Sequence, residues 1–119
     1  MAGFRDLIVW QKAHQLALVA YRITANFPPS EQFALRDQIR RAAASVPANI
    51  AEGKGRETDR AFAHFLDVAR GSVAEAQALV LLARDLHYIS SENAEAFLAH
   101  AEEVAKMVAA LSTRCRKTT

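Results

Sequence analysis

Apolar side chains recur every three or four residues along almost the whole of this chain. The recurrence is broken in only three places, at FPPS (27–30), GKGRET (53–58) and HYISSEN (87–93). Such a pattern calls for four amphipathic helices joined by short connections, and short connections make consecutive helices antiparallel. The expected fold is all-α, an antiparallel up-and-down four-helix bundle forming one domain over residues 1–119, with helices spanning about 6–26, 31–53, 58–87 and 91–114. Composition agrees. Half of the 119 residues are apolar, alanine is abundant, and only four Gly and three Pro interrupt the pattern.

The stripes name the core. In the first helix Val9, Trp10, Ala13, Leu16, Ala17, Ala20, Tyr21, Ile23 and Thr24 share a face, and Pro28 and Pro29 end it. In the third, Phe62, Phe65, Leu66, Ala69, Val73, Ala76, Leu79, Val80, Ala83 and Leu86 form a seam. The fourth carries Ala94, Phe97, Leu98, Ala101, Val104, Ala105, Val108 and Leu111. Ser30, Thr58 and Ser90 or Ser91 are the expected N-caps, and Gly53 the expected C-terminal cap of the second helix.

The second helix holds the one conflict. Leu35, Ile39, Ala42, Val46 and Ile50 step by four, three, four and four, and the stripe keeps phase across Pro47. A loop would lose that register, so the helix is expected to continue through Pro47 with a kink. The competing reading ends it at Val46, since the residue before proline is pushed out of helical space. On the opposite side Ala44, Ala48 and Ala51 form a thin strip bordered by Arg40 and Arg41, and Gly71 sits on the outer side of the third helix. Small residues let another helix approach closely, so these four are the expected oligomer interface; exposed alanine in a good helix former is the plainer alternative.

Three segments carry a resemblance: LIVWQKAHQLALVAYRITANFP, QIRRAAASVPANIAEGKGR and FLDVARGSVAEAQ. Over residues 4–90 the chain resembles the four-helix bundle family of the 23S rRNA intervening-sequence proteins. The resemblance implies a bundle that assembles with itself into a ring, a pentamer, with no enzymatic activity and no cofactor. The family is also similar to accessory proteins of diversity-generating retroelements, which engage nucleic acid and a reverse transcriptase. Partners of those two kinds, RNA or DNA and a protein such as a reverse transcriptase, are therefore expected for this chain.

Charge is consistent with such partners. Net charge is only +2, but residues 1–60 carry +3, residues 61–113 carry −4, and Arg114, Arg116 and Lys117 add +3 at the end. Arg36, Arg40, Arg41, Lys54, Arg56 and Arg60 are the candidate phosphate contacts, because the guanidinium fork suits phosphate oxygens. The competing reading pairs them with Asp37, Glu52, Glu57 and Asp59 as weak surface ion pairs.

Other chemistries find little support. GKGR lacks the spacing and trailing hydroxyl of a nucleotide-binding loop, and no Glu-x-x-His pair marks a di-iron site. His64 and Asp67 are a weak ligand pair, and no carboxylate has an evident acid–base partner. No catalytic residue, metal or cofactor is expected. The single cysteine, Cys115, allows no internal disulfide and fits a reducing cytoplasm, and no apolar run is long enough for a membrane span.

Overall fold

The computed structural model describes residues 3–117. Four helices account for most of them: α1 (Ile8–Ile23), α2 (Leu35–Lys54), α3 (Asp59–Asp85) and α4 (Ser91–Lys117), with short 3-10 turns at Phe4–Asp6 and Pro29–Glu31. The described residues contain no strand. They form a rod of 46 × 21 × 20 Å, about the length expected of a 27-residue helix rising 1.5 Å per residue. Each helix packs on its neighbours in sequence, and α1 closes the bundle against α4.

Contacts between side chains establish the up-and-down order. Lys12 of α1 meets Glu103 of α4 at 3.4 Å, Ser45 of α2 bonds Ser72 of α3, and Ser112 of α4 donates to Asp67 of α3 at 2.9 Å. Most of the predicted stripes fill the interior, but Tyr21 and Leu86, assigned to them by helical spacing, lie at the stripe edges and are exposed. Leu16, Ile39, Val46, Ile50, Leu66, Val73, Val80, Phe97, Val104 and Val108 are wholly buried. Among the described residues, no helix is long and apolar enough to cross a membrane.

α2 runs unbroken through Pro47, which is itself buried. Register is therefore kept where the proline removes the N–H that would reach the carbonyl of Ala43. Asn49, two residues on, turns its amide to the carbonyl of Ser45 at 2.8 Å; the bond stays within α2 and does not cross to a neighbouring helix.

Both ends of α2 differ from expectation in what forms them. α2 starts at Leu35 rather than near Glu31, and Ser30 caps nothing. Glu31 is used differently: one carboxylate oxygen accepts from the N–H of Leu35 at 3.5 Å, the other from the Tyr88 hydroxyl at 3.3 Å. Tyr88 also packs on Phe27, with ring centroids 5.5 Å apart. The 24–34 connection is thus fastened to the α3–α4 connection, and this tertiary fastening overrides the local capping signal. Desolvation and then the Glu31 carboxylate hold the Tyr88 phenol above its ordinary range.

The other difference is Gly53. It lies inside α2, and the C-terminal cap is Gly55, with φ −79°. A Cβ on Gly53 would stand 2.7 Å from Phe65 Cβ and 2.9 Å from Phe62 Cδ1. The glycine is required for the approach of α2 to α3, not for ending the helix. Thr58 does cap α3, accepting from the Ala61 N–H at 3.1 Å, and Ser90 caps α4 through the Asn93 N–H at 3.1 Å.

α3 ends in a paired-carbonyl turn of the Schellman type. The N–H of Tyr88 reaches Ala83 and that of His87 reaches Arg84, both at 2.9 Å. The turn sets His87 at φ 65°, a left-handed conformation that strains any residue with a Cβ. His87→Gly is expected to stabilise the fold by roughly 0.5–1 kcal/mol, read as a rise in the urea midpoint, with His87→Ala giving no such gain.

Candidate nucleic-acid interface

Because α2 spans the rod, the six predicted phosphate ligands cannot form one patch. Arg36 and Lys54 stand about 27 Å apart along the helix axis at 1.5 Å per residue. They divide into an upper group, Arg36, Arg40 and Arg41, and a lower group, Lys54, Arg56 and Arg60, around the α2–α3 turn.

The upper group is largely occupied. Arg36 pairs with Asp37 at 3.2 Å. Arg40 closes the C-terminus of α1: its Nε donates to Thr24 Oγ1 at 2.9 Å and its Nη2 to the Tyr21 carbonyl at 3.1 Å. Its guanidinium also lies over the Tyr21 ring, 4.5 Å from the centroid. Thr24 is wholly buried and passes its own proton to the Ala20 carbonyl at 2.8 Å. The Tyr21 carbonyl at the end of α1 is thus satisfied by a residue of α2 and the Ala20 carbonyl by Thr24, and a cation sits at the negative end of the α1 dipole. Arg41 alone of the three is exposed and makes no ion pair among the described residues.

The lower group is joined by residues from another helix. α4 extends to Lys117, past the expected end near 114, and its last turns reach the α2–α3 turn. Cys115 marks the junction. It is 7% exposed, and burial, followed by the Asp59 charge, raises its thiol above the ordinary range, while Arg114, Lys54 and Arg116 work in the other direction. Residues from α2, α3 and α4 are therefore within electrostatic reach of one atom. The Asp67 carboxylate fastens α4 here, accepting from Ser112 and from Arg116.

Not all of this charge is available. Arg56 pairs with Glu52 at 2.9 Å and lies over the Phe65 ring, 4.7 Å from its centroid. Lys54, Arg60 and Arg114 are exposed and make no ion pair among the described residues. The N-terminal turn flanks the same end, since Asp6–Val9 line a groove with Met107, Leu111 and Arg114. No three His, Cys, Asp or Glu side chains among the described residues gather as a metal site.

The four small residues of the proposed interface stay at the surface. Ala48 and Gly71 are exposed, Ala44 and Ala51 half-buried, and a Cβ added to Gly71 would meet nothing within 4 Å. Exposed apolar side chains accompany them on the outer face of α3: Val68, Leu82 and Leu86 are each more than 40% exposed.

A four-helix bundle with a cationic end fastened by its last helix is the class of protein these observations define. The sequence matches the family of the 23S rRNA-intervening sequence protein over residues 5–110, and the chain belongs to that family. Its fold is similar to the crystal structure of a protein of unknown function from the S23 ribosomal protein family of Bacteroides thetaiotaomicron. The TM-score is 0.79 at 23% identity, covering 88% of this chain and 98% of that one. Among curated proteins, none matches the chain.

Proposed function

We propose that this protein is a non-enzymatic, homo-oligomeric cytoplasmic scaffold that binds RNA or DNA phosphates through its cationic end. The observation that carries the reading is the convergence of Lys54 with Arg114 around Cys115, with Arg60 exposed at the adjoining start of α3. Exposed cations without carboxylate partners are what phosphate contacts need, and each contact releases counterions on binding. Binding of a structured RNA is expected to weaken steeply with salt. Lys54→Ala/Arg60→Ala should lower the slope of log affinity against log salt by about 2, one per lost contact. Absence of salt-dependent binding near physiological ionic strength removes the nucleic-acid part.

Self-association is the second part. The positive balance of residues 1–60 and the negative balance of 61–113 favour a head-to-tail contact, α1–α2 of one copy against α3–α4 of the next. A head-to-tail contact closes into a ring when its rotation permits. The pentamer implied by the family resemblance is a ring of that kind, and it would repeat the cationic end once per subunit. Ala48→Arg is expected to dissociate the assembly with helical content intact, and sedimentation of the wild type as a monomer at micromolar concentration overturns it.

The exposed apolar side chains of α3 support a second reading, an adaptor ring that holds a partner protein such as a reverse transcriptase, with no direct contact to nucleic acid. Recovery of a protein partner after nuclease treatment, with no RNA binding by the purified chain, favours it.

A further inference from the structure

Beside the α2–α3 turn lies an open cavity of about 500 Å³, lined by Arg56, Thr58, Arg60, Ala61, His64 and Phe65. It is a shallow, open depression, suited to a flat group laid against its wall. Two kinds of surface meet in it. One is aromatic: the Phe65 ring is half-buried and so held in place, and the exposed His64 ring stands edge-on to it with centroids 5.4 Å apart. The other is cationic: Arg60 lies one turn before His64 on α3, and Arg56 is held over the Phe65 ring by its bond to Glu52.

A duplex presents phosphates on its outside and keeps its bases stacked within. A flat ring and a phosphate reaching the same small cavity together is the signature of an unpaired nucleotide, whose base can lie against aromatic rings and guanidinium planes. We propose that the cavity receives an unpaired nucleotide of a single strand, its base against His64 and the Arg56 guanidinium plane that Phe65 supports, and its phosphates on Arg60. This inference rests on the nucleic-acid reading above and narrows it from phosphate backbone in general to single-stranded segments.

The test compares three fluorescently labelled probes by anisotropy with the full chain: a short RNA strand, a DNA strand of the same sequence, and the blunt DNA duplex. Both strands are expected to bind about tenfold tighter than the duplex, and a difference between RNA and DNA shows whether the sugar is read. His64→Ala and Phe65→Leu should each weaken strand binding by about five- to tenfold, the loss expected for one stacked base, and leave the duplex within about twofold. Phe65 packs against Gly53, so the leucine variant is checked first for native helical content; His64 is exposed, and its variant decides the matter if the other is unfolded. Equal affinity for strands and duplex, or strand affinity unmoved by His64→Ala, overturns this inference and leaves phosphate binding standing. No salt-dependent binding of any probe overturns both.

Discussion

Gly53→Ala should destabilise the bundle by about 2 kcal/mol, although helix propensity argues the reverse. Alanine in a helix interior is favoured over glycine by about 1 kcal/mol. Space decides against it here. The added methyl would sit 2.7 Å from Phe65 Cβ and 2.9 Å from Phe62 Cδ1. A Cβ is fixed by its backbone, so relief requires α3 to move as a body, at the most extensively packed helix pair in the bundle. Overpacking of this kind costs up to about 3 kcal/mol, which outweighs the propensity gain. Gly55→Ala is the control. Its Cβ would meet only carbonyl oxygens at 3.5 and 3.8 Å, and its backbone is already right-handed, so little change is expected. Thermal melts of the two variants settle the roles: no drop for Gly53→Ala would show that the approach of α2 to α3 does not require glycine there.

Arg40→Ala is expected to cost about 2 kcal/mol, with Arg40→Lys recovering about half. A hydrogen bond from a charged donor contributes roughly 1.5–3 kcal/mol, and the contact with the Tyr21 ring adds about 0.5–1. Partial exposure of the guanidinium reduces that sum. What remains includes the loss of the Nε donor from the buried Thr24 hydroxyl and of the donor at the Tyr21 carbonyl. Lysine restores the charge at the end of α1 but not the fork that spans both acceptors. Chemical denaturation checks the size, and RNA titration checks the role. An unchanged denaturation midpoint with weakened RNA binding would return Arg40 to the phosphate ligands.

These two sites show where a sequence is legible and where it is not. The helices could be read because every core stripe is a local pattern, and even the stripe through Pro47 proved to be continuous helix. The start of α2 could not, because Glu31 answers to Tyr88, 57 residues away. Likewise Arg40 belongs to Thr24, 16 residues earlier, and its place beside Arg41 in the sequence suggested a shared role that the fold divides. The lower cationic group was half visible. GKGR and the terminal arginines stood out separately, but only antiparallel threading and three further residues of α4 bring them together. His64 and Phe65 gave no signal as nucleotide contacts, since one stood out only as a weak metal-ligand pair with Asp67 and the other as part of the core seam. Their spacing from Arg60 on one helix was the available clue.

The threading has a practical corollary for anyone handling this molecule. The turn before α1 and the last turns of α4 lie together at one end of the rod, as the groove shared by Asp6–Val9 and Arg114 makes plain. A fluorophore attached within either segment would crowd the proposed binding surface. The far pole, at the bend between α3 and α4, is the better site for a graft, and a handle inserted there would leave the cationic pole unencumbered.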